Sequence, residues 1–541
     1  MKIALVPLNP TVGDIPANVD KILGFIDSAI AQHCDLIIFP EMSLIGYPAK
    51  DYLFYPWVLY QQQASIAKLK RRSKNIGIVV GGLGRHKGIG RPFLNQAFIF
   101  HNGQKHTYTK QLLPNYDVFD DWRYFSPGTE PLILKINGKR FGFTICEDIW
   151  FSEDQIKTQY PQDPLNQYRD RKLDFLINIS ASPFEFDKPP RRAKLISHIS
   201  QTLHCQVIYV NQSGANDDLI FDGSALVCHT NGKFIYKAPP FTEDLFVFNT
   251  DEPRIFLPLK SSKSTKYELL EQALITGIRD YFGKMGFTQA ALGLSGGVDS
   301  ALVATLAAKA LGPENVLGVM LPSRYSSDHS ITDSQSLAKQ LGIQTMQINI
   351  DPLHKVYEKF FHKIFPQGVS DLTEQNIQAR IRANLLMAIS NNSERLLLNT
   401  SNKSELAMGF GTMYGDLCGA IAVISDLTKT QVYELCGHLN LQKEIIPKNI
   451  LKKAPSAELK PDQKDSDTLP PYDKLDPLLD VLINQYGQGV DFDSCDDLTR
   501  KVMNTIMKNE WKRFQAPPTL RISNKAYGAG RRIPVVGKLR I

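Results

Sequence analysis

The stretch 292-LGLSGGVDSALVATLAAKALG-312 carries an apolar strand into Ser295-Gly296-Gly297-Val298-Asp299-Ser300 and then directly into an Ala-rich helix. Glycines let backbone amides approach an anion closely, and a helix N-terminus adds free N–H donors and a positive dipole end. Ser295 and Ser300 add hydroxyl donors. Asp299 disfavours bare phosphate, so a bound Mg²⁺ between it and the phosphates is expected. No Lys follows the second glycine, so this is not a Walker A loop. The plain alternative is a strand–helix turn in which Asp299 serves as N-cap.

Outward from this loop the chain alternates between short apolar runs and helical stretches. "YELLEQALITGIRDYFGKMG", "SITDSQSLAKQLG" and "EQNIQARIRANLLMAISNN" have helical spacing, while "NVLGVMLPS", "QTMQINI" and "RLLLNTS" read as strands. Repeated βα units predict a doubly wound parallel sheet for residues 266–541. The low-hydrophobicity segment "KKAPSAELKPDQKDSDTLPPYDK" predicts a mobile loop over 452–475.

Residues 1–250 show a different order. "KIALVPL", "DLIIFP", "IGIVVGGL", "NQAFIF", "RFGFTIC", "FLINIS" and "QVIYVNQ" read as buried strands, and "NVDKILGFIDSAIAQH" and "RRAKLISHISQTLH" as helices. Asn231-Gly232 marks a hairpin. A Pro-, Ser- and charge-rich stretch over 251–265 reads as the linker between two domains.

The chain has 541 residues, 43% hydrophobic and 22% charged, with net charge +7. This modest excess suits anionic small molecules and falls short of the clustered basic surface of a nucleic-acid binder. Seven scattered cysteines without CxxC pairing predict a reducing, cytoplasmic setting. The first apolar run stops at Pro7 and reads as a strand, not a signal peptide, and no apolar run is long enough to span a bilayer.

The SGGVDS string resembles the pyrophosphate loop of the N-type ATP pyrophosphatases, in which AMP passes to a substrate. That resemblance implies ATP binding by Gly293, Leu294, Ser295, Gly296, Gly297, Val298, Asp299 and Ser300. "EQNIQARIRANLL", "LNTSNKSELAMGFGTMYGD" and "ISDLTKTQVYEL" look like NAD synthetase, from about residue 265 onward. The likeness implies that Asn376, Glu405 and Lys512 contact nicotinic acid adenine dinucleotide (deamido-NAD). It also implies that Thr400 and Lys429 contact ATP and that Asp299 and Glu405 hold Mg²⁺. Thr400 and Glu405 follow a predicted parallel strand, on the edge where open sheets bind ligands. Lys429 opens a helix, a poor place for a cation, so an anionic ligand is expected.

In the first half, "FPEMSLIGYP", "YTKQLLPNYDVFDDWRYFSPG" and "ICEDIWF" resemble, in order, the three motifs of the nitrilase (carbon–nitrogen hydrolase) family. The resemblance implies an α-β-β-α sandwich and a Glu41–Lys110–Cys146 triad acting on an amide. Two acids, Glu147 and Asp148, follow Cys146 and should raise its thiol pKa; Lys110 is expected to supply the offsetting cation. With a synthetase attached, the amide expected is that of glutamine. Similarity to glutamine-dependent NAD synthetases implies that Tyr116, Ser182 and Lys188 bind it. Glu147 or Asp148 could hold the α-ammonium of glutamine or a supporting amide. Nitrilase-type domains pair across subunits, so a homo-oligomer is expected. Other amidotransferases of the superfamily fit less well: Lys2 stands where an asparagine synthetase-like enzyme places its cysteine.

Overall fold

A computed structural model describes residues 1–151, 160–251, 266–491 and 493–537. The chain divides into two compact units, Met1–Thr265 and Lys266–Ile541. The stretch read as a linker, from residue 252 onward, lies outside the described residues.

The first unit holds two six-stranded sheets. In one, the strands run in the order Phe246–Asn249, Lys2–Leu5, Leu36–Ile38, Gly77–Arg85, Phe93–His101, Gln104–Thr109. In the other the order is Phe234–Lys237, Ala225–Cys228, Gln206–Asn211, Phe175–Ser180, Lys139–Ile145, Ile133–Ile136. Side-chain alternation explains the layering. Ile3, Leu5, Leu36 and Ile38 pack with Phe141, Phe143, Ile145 and Phe175 in a core between the sheets. Their alternates Ala4 and Ile37 point the other way, into a core with Ile15, Val19, Ile22 and Ile26 of the helix Ile15–Ala31. On the far face of the second sheet, Leu195, Ile196 and Ile199 of the helix Lys188–Thr202 meet Leu176, Val207 and Tyr209. The result is the expected α-β-β-α sandwich. The segment around Asn231-Gly232 does join two antiparallel strands.

In the second unit five parallel strands run in the order Gln344–Gln347, Val316–Met320, Ala290–Gly293, Leu396–Asn399, Ile421–Ala422. Successive strands are added on one side of Ala290–Gly293 and then, from Leu396–Asn399, on the other, so this pair is the switch point and its carboxyl ends are the expected ligand crevice. The helix Val298–Leu311 is Ala-rich because it is buried on nearly every side, from Ala301 through Ala307. Among the described residues no helix is long and apolar enough to cross a membrane.

The expectation of a mobile loop over 452–475 is corrected. Lys453 donates to Glu458 at 2.6 Å and to Ser330 at 2.5 Å, and Gln378 donates to the Leu459 carbonyl at 3.0 Å. Asp465 is 4% exposed and accepts from the Tyr472 hydroxyl. Residues 453–459 thereby wall the crevice. Polar contacts, invisible to hydrophobicity, hold the segment.

Candidate active sites

In the first unit, three strand ends deliver the residues singled out by sequence. Glu41 lies in the turn after Leu36–Ile38, Lys110 directly follows Gln104–Thr109, and Cys146 directly follows Lys139–Ile145. All three are buried, at 1%, 1% and 3% exposure. Lys110 Nζ donates to Glu41 Oε1 at 2.9 Å and to Asp121 Oδ2 at 2.8 Å. Glu41 also accepts from Asn95 Nδ2 and from the Ala181 amide, both at 2.7 Å, so the carboxylate is fixed from three directions. Gly81 lies directly behind it: a Cβ there would fall 2.6 Å from the Glu41 Cα. Cys146 itself adopts φ +45°, a left-handed conformation that L residues avoid, at the corner between a strand and a 3₁₀ turn.

Burial works against the charge of Lys110, yet Asp121 and Glu41 hold its ammonium well above its ordinary range. The thiol of Cys146 is pushed well up, first by burial and next by Glu41; Lys110 and Lys188 oppose this without prevailing. Lys110 does offset the acids, as expected, but it does not outweigh burial and Glu41. A thiol raised in this way needs a base to release its proton.

Asp148 is fully engaged in structure, accepting from the amides of Ile145, Gln111 and Leu112 and from the Tyr108 hydroxyl at 2.8–2.9 Å. Its lone pairs are thereby taken, which leaves Glu147 as the adjacent acid with capacity for a further donor. Glu147 accepts from the hydroxyls of Tyr116 at 3.0 Å and Tyr160 at 3.1 Å. Ser182 is locked by Asn211, whose side chain both accepts from its amide at 2.8 Å and donates to its carbonyl at 3.0 Å. Lys188 donates to the Pro183 carbonyl at 3.2 Å, lies near the Trp150 ring, and acts electrostatically on both Cys146 and Glu147. Tyr116, Glu147, Lys188 and Cys146 thus form one electrostatically coupled group.

Burial raises the Glu147 carboxyl to about 7, with Lys110, Tyr116, Tyr160 and Lys188 offsetting part of the effect. A carboxyl whose folded pKa is raised binds its proton more tightly in the folded chain. The stability this brings is complete below about 4.5 and is lost as pH climbs through about 7. The shift corresponds to roughly 3 kcal/mol. Glu147→Gln is expected to gain thermal stability relative to wild type at pH 8 compared with pH 5. Calorimetry at both pH values checks this; an equal difference at the two would remove the desolvation argument.

In the second unit, Ser295–Ser300 turns at the carboxyl end of Ala290–Gly293. Gly296 has φ +75°, and a Cβ there would strike the Ser330 carbonyl oxygen at 2.5 Å. Ser295 Oγ and Ser300 Oγ lie 3.1 Å apart, and the Gly297 amide donates to Ser295 Oγ at 3.3 Å. The helix N-cap is Gly297, so Asp299 sits inside the first turn and the N-cap alternative fails. Its carboxylate accepts from Lys429 Nζ at 2.5 Å and from Asn402 Nδ2 at 2.9 Å. Lys429 also reaches Glu405 at 3.2 Å. Lys429 is thus held between two carboxylates, Asp299 and Glu405. Burial raises Glu405 to about 8 and Asp299 adds to this, while Lys429 opposes. Two half-buried carboxylates, bridged here by Lys429, are hard oxygen donors of the kind that suit Mg²⁺, so the residues fit that ion.

Gly293 through Ser300, Thr400, Glu405 and Lys429 all line one crevice of about 320 Å³, a size suited to a small molecule. Asn376 and Lys512 are not among its lining residues. They converge beside it: Asn376 accepts from the Thr412 hydroxyl at 2.8 Å, and Lys512 donates to the Gly409 and Gly411 carbonyls at 2.7 and 3.1 Å.

Sequence reasoning missed Asp121 and Asn402. Asp121 stands beside Asp120 with no local signal to set it apart; only its burial, at 3% exposed, marks it as an acid that requires a cation. Asn402 offered the capping pattern Asn-x-x-Glu, and it does cap the helix Lys403–Met408.

The folds and sites together define a two-domain enzyme, a carbon–nitrogen hydrolase-type sandwich joined to an ATP-pyrophosphatase-type sheet domain. Family models agree: carbon–nitrogen hydrolase matches residues 2–255 and NAD synthase residues 270–516. The chain is 43% identical to a glutamine-dependent NAD(+) synthetase of Synechocystis sp., over 98% of both chains. It is 38% identical to that of Acinetobacter baylyi, over 100% of this chain and 99% of the relative. The solved glutamine-dependent NAD+ synthetase of Acinetobacter baumannii, in complex with ADP, superposes with TM-score 0.78 at 35% identity, covering 99% of this chain and 98% of that one. The chain belongs to the glutamine-dependent NAD(+) synthetase family.

Proposed function

We propose that the chain releases ammonia from glutamine in its first unit and uses it in its second to convert deamido-NAD into NAD⁺ at the expense of ATP. The observation that carries this is the buried Glu41–Lys110–Asp121 cluster acting on Cys146, in one chain with the Ser295–Ser300 loop at a sheet switch point.

Glu41 accepts the Cys146 proton, and the sulfur attacks the carboxamide carbon of glutamine. The oxyanion that forms is stabilised by the permanently charged Lys110, which Asp121 anchors from behind. The C–N bond breaks, Glu41 returns the proton, and ammonia leaves. Water activated by Glu41 then splits the thioester to give glutamate. Tyr116, Ser182, Lys188 and Glu147 hold the amino-acid end of glutamine.

In the crevice, Gly293 through Ser300, Thr400 and Lys429 bind ATP, and Asn376, Glu405 and Lys512 hold deamido-NAD. The nicotinate carboxylate attacks the α-phosphorus and diphosphate leaves. Ammonia attacks the resulting acyl-adenylate and AMP leaves, yielding the amide. Adenylation is required because a free carboxylate has no adequate leaving group. Asp299 and Glu405 are the residues that would hold Mg²⁺, which supplies charge neutralisation on the phosphates.

A reducing, cytoplasmic setting is supported by seven free thiols. A homo-oligomer is supported by the exposed apolar stripe Leu353, Val356, Phe360 and Ile364 on the helix Asp351–Ile364. The deciding assay supplies deamido-NAD, ATP and Mg²⁺ with glutamine or with ammonium. NAD⁺, AMP and diphosphate should form in equal amounts with either nitrogen source, and glutamate only with glutamine. Xanthylate accepted in place of deamido-NAD would overturn the reading.

A further inference from the structure

On the buried face of the helix Asp351–Ile364 sits an imidazole that the proposed chemistry does not use. His354 is 1% exposed, yet neither of its ring nitrogens makes a hydrogen bond. Carboxylates flank it on both sides. Glu358, one turn along the same helix, places Oε1 3.8 Å from Nδ1, and Glu374, in the first turn of the helix Asp371–Ser393, places Oε1 3.5 Å from Nε2. One ligand atom from each of the three residues falls within 4.8 Å of the others.

We propose that His354, Glu358 and Glu374 form a binding site for a divalent transition-metal ion of the zinc class, separate from the nucleotide crevice. Two ligands about 2.1 Å from one tetrahedral ion lie about 3.4 Å apart, close to the spacing of Nε2 and the Glu374 oxygen. A histidine and a glutamate four residues apart on a helix lie on one face, a recurrent arrangement for chelation. One neutral imidazole and two carboxylates balance a divalent charge, and the mixed nitrogen and oxygen donors favour zinc over magnesium.

The surroundings define what binding requires. Arg324 donates to both Glu358 oxygens, at 3.1 and 3.4 Å, and its own amide and Nε donate to Asp351 Oδ1 at 3.1 and 3.4 Å. Binding exchanges the Arg324–Glu358 contact for a metal–Glu358 bond and leaves Arg324 on Asp351. The ion then fastens the helix Asp351–Ile364 to the helix Asp371–Ser393, whose Ala379, Arg382 and Leu386 line the crevice. Arg324 itself follows Leu321 and Pro322, which line the same crevice. Occupancy would therefore stiffen two walls of the nucleotide site.

The test uses the full chain, stripped with a chelator and titrated with zinc chloride, without ATP, by calorimetry and by thermal unfolding. The wild type should bind one zinc equivalent more than Glu374→Gln or His354→Gln, or bind it at least tenfold more tightly. Zinc should raise the melting temperature of the wild type more than that of either variant. Glu374 is one-third exposed, so Glu374→Gln remains informative if the buried His354 variant fails to fold. Equal zinc stoichiometry and affinity in wild type and Glu374→Gln would overturn the proposal. So would a cluster that alters only the pH dependence of stability without taking up zinc, since that would be an imidazolium held between two carboxylates.

Discussion

Cys146→Ala is expected to lower glutamine-dependent NAD⁺ formation at least about a thousandfold, while ammonium-dependent formation stays within about twofold of wild type. The substitution removes one sulfur from a corner that is 3% exposed. It leaves in place the bonds from Lys110 to Glu41 and Asp121 that organise the surrounding pocket. Without a nucleophile no thioester forms, and neither the oxyanion cation nor the base has anything to act on. Adenylation in the second unit uses none of these atoms. Cys146→Ser, which keeps the shape but presents a far weaker acid, should behave like alanine. Parallel assays with the two nitrogen sources decide the matter. Loss of both activities would make Cys146 a packing residue, and loss of neither would remove it from the chemistry.

How well these sites could be read beforehand depended on the range of the interactions that build them. The Ser295–Ser300 loop was legible because its chemistry is local: a strand, two glycines and a helix start are contiguous, and Gly296 is demanded by its own φ and the Ser330 carbonyl. The sandwich was legible because alternation along Lys2–Leu5 and Leu36–Ile38 assigns each side chain to one core or the other.

The electrostatics of the thiol were legible only in part: the adjacent Glu147 does raise it, but the larger carboxylate effect comes from far along the chain. Asp148, two residues away, has its charge absorbed by three amides and a hydroxyl. Glu41, more than a hundred residues away, contributes more to raising the thiol. Asp121 escaped for the same reason: nothing in "FDDWRYF" says which aspartate turns inward, since Lys110 and Tyr47 reach it from other segments. The 452–475 segment misled because hydropathy measures only one kind of adhesion. Lys453, Glu458 and Gln463 hold it through hydrogen bonds that composition does not display.

Asp299→Ala is expected to suppress NAD⁺ formation from both nitrogen sources, by about a hundredfold or more, because adenylation precedes either amidation. The carboxylate joins three segments: its own helix start, Asn402 at 2.9 Å and Lys429 at 2.5 Å. Its removal leaves Lys429 bonded to Glu405 and takes away one of the two donors suited to Mg²⁺. Asp299 also helps to raise Glu405, so in its absence Glu405 should ionise below its present value of about 8. Residual ammonium-dependent activity should accordingly shift its pH profile toward the acid side. Asp299→Asn separates charge from shape, since the amide still reaches Asn402 but cannot neutralise Lys429 or take a hard cation. It should be as inactive as alanine, and its activity should not recover with added Mg²⁺. A wild-type rate from ammonium in Asp299→Asn would mean that the carboxylate serves only to pack the loop.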